Sequence, residues 1–203
     1  MGQVKTLEKG ISMKNSPQFL RTDKAIRQAL ITLLKNKPFE KITVQNILDE
    51  TPVTRSTFYK HYYDKYEIVE NMQEDFLTTL SELSKEIHDN PTQSLLSHQK
   101  LFNDNRELMN TLLKVHTEKV DLMSHFSIYS EAYYLEHSND PDKYMQAKIY
   151  AQMITAFTLA DHSLEHTSLD YMRDTIISIM LFALNIPEDN ELRELLKSKS
   201  LSK

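Results

Sequence analysis

An all-α fold is predicted by three features of this 203-residue chain. Its two glycines, Gly2 and Gly10, both fall in the first ten residues. Strand-like alternation is scarce, and apolar residues recur at helical spacing almost everywhere else. The length suffices to bury a substantial core, as one large domain or two small ones.

The elements follow in order. Residues 1–16 read as a polar lead-in, with Met13 as an alternative start and no apolar core of a signal peptide. Met1-Gly2 with Thr6 formally matches an N-myristoylation pattern, but so short a pattern is weakly selective and no second membrane anchor accompanies it. Thr22 is placed as the N-cap of a first helix with Ile26, Leu30, Leu33 and Leu34 along one stripe. Asn36 suits the left-handed C-terminal cap, Pro38 prevents continuation, and Phe39 and Ile42 plug the small core. Thr43 caps a second helix burying Val44, Ile47 and Leu48, and Pro52 stops it while forcing Thr51 out of the helical region. Val53 packs under the turn. Thr54 caps a third, short helix in which Phe58 and Tyr62, four residues apart, share the buried face. Asp64 and Glu67 resemble a capping box that starts a fourth helix with Val69, Met72, Phe76, Leu80, Leu83 and Ile87 along one side.

Beyond that helix, breaks are expected near Asn90-Pro91, Asn103, His116, Asn139 to Pro141, Thr167 and Pro187. Thr117 is a cap candidate for a helix carrying Val120, Met123, Ile128 and Tyr133 to Leu135. Pro141 precedes a long helix, and Ser168 caps another with Met172, Ile176, Ile179, Met180, Phe182 and Ala183. Both long helices are apolar on more than one side, which calls for partners on two sides, either within a monomer or with one of them from a second subunit. The domains are therefore set at 1–16 (lead-in), 17–66 (helix-turn-helix) and 67–203 (helical bundle).

Charge divides the chain at the same place. Residues 1–66 carry twelve Lys and Arg against six Asp and Glu, and the remainder twelve against twenty-three, giving the net −5 of the whole. A basic head on an acidic body fits nucleic-acid binding confined to the head. The absence of cysteine excludes a disulfide framework and a thiolate metal site, and suits a reducing cytoplasm. No apolar run reaches the length of a membrane span.

The head also carries a specific resemblance. RTDKAIRQALITLL, ITVQNILDE and VTRSTFYKHYYDKYEIV, within residues 21 to about 69, resemble the DNA-binding domain of the tetracycline-repressor (TetR) family of transcriptional regulators. The run Thr57-Phe58-Tyr59-Lys60-His61-Tyr62, with Asp64-Lys65 following, is far more selective than generic helix-turn-helix spacing. Two departures stand out. Pro52 occupies a turn where the family usually has glycine, and proline cannot take the left-handed conformation. Tyr66 stands where an acidic residue commonly follows the lysine.

The resemblance implies that residues Thr54 to Tyr62 enter the major groove of a double-stranded operator with an inverted repeat. Arg55 is the leading candidate for base readout, because a guanidinium can bond two acceptors on one guanine edge. Ser56 and Thr57 can read bases or phosphates through their hydroxyls. Tyr59, Lys60 and His61 are phosphate candidates, as similar positions are in the family. Thr43 and Lys65 at helix starts are further phosphate candidates, because free amides and the helix dipole favour an anion there. Thr54 joins them, and Thr43 and Thr54 can equally serve as caps.

The resemblance further implies a homodimer through two late helices, and an effector cavity in the body. Tyr129, Tyr133, Tyr134, Tyr144 and Tyr150 with Met123, Met145 and Met153 supply adaptable lining material, and the acidic balance favours a small apolar or cationic effector. No cofactor is assigned.

Two other readings fit the sequence. One is a DNA-binding protein of the same fold that organises chromosomes without an effector. The other is a zinc hydrolase, because His162, Glu165 and His166 spell H-x-x-E-H, in which two imidazoles bind zinc and the Glu activates water. Histidines four apart near a helix end are also common surface residues favoured by the dipole, and no third ligand is specified. No catalytic or metal residue is assigned.

Overall fold

The computed structural model describes residues 16–87, 89–138, 141–163 and 190, with the side chains of Gln99 and 157–163 left aside. Among the described residues the chain is all-α. The helices are α1 (Pro17–Leu34), α2 (Val44–Asp49), α3 (Arg55–His61), α4 (Lys65–Ser84), α5 (Pro91–Asp104), α6 (Arg106–Leu112), α7 (Leu122–His137) and α8 (Lys143–Ser163), with a 3-10 turn at Phe39–Lys41. No described helix is long and apolar enough to cross a membrane.

The described residues form two compact units. The first comprises residues up to Met72 together with Thr117–Val120, and the second comprises Gln73–His116 and the chain from Asp121 onward. In the first unit α1 begins earlier than its sequence suggests. Ser16, not Thr22, is the cap: its hydroxyl accepts from the Phe19 amide at 3.2 Å, and Pro17 takes the first turn, where its missing N–H costs nothing. Thr22 is interior and its hydroxyl donates to the Gln18 carbonyl. The added turn is held by Phe19, whose ring stacks on His61 at 3.7 Å. At the other end α1 stops at Leu34 with Lys35 as its C-cap, and the Asn36 amide that follows donates to the Leu33 carbonyl at 3.1 Å.

Ile26, Leu30, Phe39, Ile42, Ile47 and Phe58 are all essentially solvent-free and form the core of this unit. Complete burial of Phe58 alone stabilises by about 1.5–3 kcal/mol, which is why a seven-residue helix can persist here. Thr43 caps α2 as expected, and the box is closed by Asn46. The Asn46 amide donates to the Thr43 hydroxyl, and the Asn46 side-chain oxygen accepts from the Thr43 amide, both at 3.2 Å. The turn containing Pro52 needs no glycine. The Thr51 hydroxyl accepts from the Val53 amide at 3.3 Å and donates to the Leu48 carbonyl at 3.4 Å, bracing the proline from both sides.

In the second unit α7 and α8 pack antiparallel: the Tyr134 hydroxyl donates to Gln146, while Gln152 donates to Ser127 at 3.2 Å. Asp121, not Thr117, caps α7, accepting from the Met123 and Ser124 amides at 3.0 and 3.1 Å. Both amides donate to one carboxylate oxygen, Oδ1, whose two lone pairs accept them together. Thr117 instead closes a tight turn with Val120 in the first unit. The break expected at Asn103 falls at Asn105, whose side-chain amide donates back to the Leu101 carbonyl. The helix expected after Ser168 lies outside the described residues.

Candidate nucleic-acid interface

The short helix α3 has one closed face and one open face. Phe58 and Tyr62 are buried, at 0% and 2% exposure. Arg55, Ser56, Tyr59 and Lys60 are exposed, and Thr57 is partly so. The helical period produces this division once Thr54 starts the helix, by accepting from the Thr57 amide at 3.2 Å. The Ser56 and Thr57 hydroxyls both lie against the Thr54 hydroxyl, at 3.1 and 2.9 Å. The open face thus presents a guanidinium, an ammonium, a phenol and hydroxyls, the groups that hydrogen-bond base edges and phosphate oxygens. Tyr63, just past the helix, is 84% exposed and extends this surface.

Two of the residues selected from sequence are placed differently from the rest. The Lys65 ammonium points inward: it donates to the carbonyls of Phe39, Ile42 and Glu40 at 2.6, 2.8 and 3.2 Å, and lies 4.5 Å from the Phe39 ring centroid. Three donors meet three carbonyls, and the ammonium ties the 39–42 turn to the start of α4. Burial pushes its pKa down, with the charges of Glu40 and Asp64 opposing. His61 is half-buried under Phe19, and its Nδ1 is buried without a hydrogen-bond partner among the described residues. Burial lowers its pKa, with the Asp23 charge opposing, so the neutral ring is favoured over an imidazolium that would attract phosphate. Tyr66, in its unusual position, stands edge-on to Phe39 at 5.1 Å and lies beneath the ammonium groups of Lys65 and Lys119.

The fourth helix opens as its sequence indicates, with a shift of one residue. Asp64 accepts from the amides of Tyr66 and Glu67, while the Glu67 carboxylate reaches back to the amide of Tyr63, not to that of Asp64.

Several residues were not singled out by sequence. The Tyr62 hydroxyl donates to Asp23 and accepts from Arg27 Nε at 3.0 Å, and Arg27 also pairs with Asp23 at 2.8 Å. Burial, then the Asp23 contact, raises the Tyr62 pKa. On α2, Gln45 accepts from Arg55 Nη2 at 2.6 Å and donates to Asp49 at 2.7 Å. The signal for Asp23 and Arg27 was their i,i+4 spacing on the basic first helix. Gln45 carries no signal beyond its place on the outer face of α2.

The second unit holds a buried polar cluster. His98 Nδ1 lies 2.7 Å from the Ser94 carbonyl and Nε2 lies 2.9 Å from the Ser84 hydroxyl, which also accepts from Tyr129. Tyr133 donates to the Ser84 carbonyl at 3.1 Å. Burial lowers the pKa of His98. Tyr133, Tyr134 and Tyr150 are buried, but Tyr144 and Met145 are 70% and 68% exposed and Met153 is also outward, so these three do not line the interior. The reason is that α8 is apolar on more than one side, and its inner stripe is taken by Ala147, Tyr150, Ala151 and Ile154. The H-x-x-E-H motif lies outside the described residues: Glu165 and His166 entirely, and His162 as regards its side chain.

No family model matches the chain. Over 50 residues, a quarter of its length, it is 36% identical to a protein of Bacillus subtilis (strain 168) described as the uncharacterized HTH-type transcriptional regulator YxbF. That stretch is 13% of the relative's length, so the chain spans only a small part of it.

Proposed function

We propose that this protein is a dimeric, TetR-like, sequence-specific DNA-binding transcriptional regulator, acting as a repressor that a small molecule releases. The observation that carries the reading is α3 itself, whose Arg55, Ser56, Tyr59 and Lys60 face outward while Phe58 and Tyr62 are buried. Its similarity to an HTH-type transcriptional regulator supports the same class. Arg55 reads a guanine edge, Ser56 and Thr57 contact bases or phosphates, and Tyr59 and Lys60 grip the backbone. Thr43 and Thr54 act first as caps. Lys65 and His61 act through the shape of the head.

A dimer places two such helices about 34–36 Å apart, one turn of DNA, so the operator is an inverted repeat. The outward stripe of Met145, Ile149 and Met153 on α8 supplies apolar surface for that contact. The buried tyrosines and acidic balance of the body suit an apolar or cationic effector, which acts by binding one spacing of the heads better than the other. A mobility-shift assay with inverted repeats from the DNA next to the coding sequence, at two salt concentrations, tests the reading. Preference for an inverted repeat over its scrambled version supports it. Equal affinity for both removes the specific regulator, and dense coating of every duplex favours a chromosome-organising role.

A further inference from the structure

Gln45 lies between two charged groups that settle its orientation. Its Nε2 donates to the Asp49 carboxylate at 2.7 Å and its Oε1 accepts from Arg55 Nη2 at 2.6 Å. A carboxylate only accepts and a guanidinium only donates, so the amide cannot flip without losing both bonds. All three side chains are exposed, and the bonds cross from the outer face of α2 to the first residue of α3. A long arginine on an open surface otherwise samples many rotamers, and ordering it against a base costs entropy. Here one of its five N–H donors is engaged before any ligand arrives, and the plane of the fork is set by a neighbouring helix.

We propose that Asp49 and Gln45 form a relay that aims the Arg55 guanidinium, making them positioning residues for base selectivity; this rests on the reading of α3 as the helix that enters the groove. The relay leaves Nε, Nη1 and the second Nη2 hydrogen for acceptors on one base, and two of these suffice for the N7 and O6 of a guanine. It also explains why a carboxylate stands on a surface meant for a polyanion. Asp49 costs attraction for every duplex and returns selectivity at one base pair.

The test is selection from a randomised duplex pool by the full-length chain and by its Arg55→Ala, Gln45→Ala and Asp49→Ala variants, followed by affinity measurements on the enriched duplexes at two salt concentrations. Because the three positions are exposed, thermal melting should be unchanged, and this is checked first. The wild type should enrich a guanine at one position of each half-site, and Arg55→Ala should lose it. Gln45→Ala should weaken discrimination at that same position by about tenfold, the scale of one hydrogen bond to a charged group. Its salt dependence and its preferences elsewhere should not change. Asp49→Ala should blur the same position while binding all duplexes more tightly, a combination that a purely structural role does not produce.

The relay is overturned if Gln45→Ala or Asp49→Ala leaves that position as sharp as in the wild type. It is also overturned if Gln45→Ala blurs a different position, since Gln45 then reads a base itself. In either case Arg55→Ala still loses the guanine and the proposed function stands. If the wild type enriches nothing, or Arg55→Ala changes nothing, the docking of α3 fails and the relay fails with it.

Discussion

The hydroxyl of Tyr62, the residue that closes α3, accepts a 3.0 Å hydrogen bond from Nε of Arg27 in the middle of α1. The same hydroxyl donates to Asp23, one helical turn earlier. The end of the candidate recognition helix is thus fastened to the first helix by a closed triangle, in which Arg27 Nε faces both the Tyr62 hydroxyl and the Asp23 carboxylate. Tyr62→Phe keeps the packing and removes the fastening. The expected cost is about 1–2 kcal/mol, a fall of several degrees in melting temperature for a unit this small. A melt that does not change would show that the Asp23–Arg27 pair suffices alone.

Lys65 separates two explanations of one phenotype. With its ammonium on three backbone carbonyls, Lys65→Met should destabilise the head by about 2 kcal/mol and weaken binding to every duplex through unfolding. Below the melting temperature, the slope of log affinity against log salt should equal that of the wild type. A slope reduced by about one would mark a direct phosphate contact instead.

Lys60 is exposed on the open face, and for it the opposite holds. Lys60→Ala should leave the melt unchanged, weaken all duplexes alike and reduce the salt slope by about one.

Ile149 is 53% exposed in the outward stripe of α8. In a two-fold interface a substitution meets its own copy, so Ile149→Glu brings a pair of buried like charges into the contact. Sedimentation velocity should find the wild type dimeric and this variant monomeric, with the helical content of both equal by circular dichroism.

The buried His98 makes stability depend on pH. Its pKa is held below the ordinary 6.5 by burial, so the unfolded chain takes up a proton that the folded one resists. Its contribution is complete above pH 6.5 and is lost as pH falls from there through the folded-state value. His61 contributes with the same sign. Denaturant midpoints measured stepwise downward from neutral pH should decline, and His98→Gln should flatten the part due to the second unit.

The sequence by itself determined the helical class, the Thr43 and Thr54 caps, the buried Phe58 and Tyr62, and the outward Arg55, Tyr59 and Lys60. Each of these depends on neighbours within about one helical turn, where backbone geometry dictates which side chains meet. What the long polar side chains do was decided only in three dimensions. Lys65 reaches carbonyls more than twenty residues away, Tyr62 reaches Asp23 and Arg27, and Arg55 reaches Gln45. The start of α1 at Ser16 rests on a local cap, with the Phe19 amide on the Ser16 hydroxyl, and on a tertiary contact, the stacking of Phe19 on His61 of α3. A flexible donor has many acceptors of similar strength within reach, and the packing of the core selects among them. Periodicity encodes which face of a helix is buried, and tertiary contact decides which partner each polar group holds.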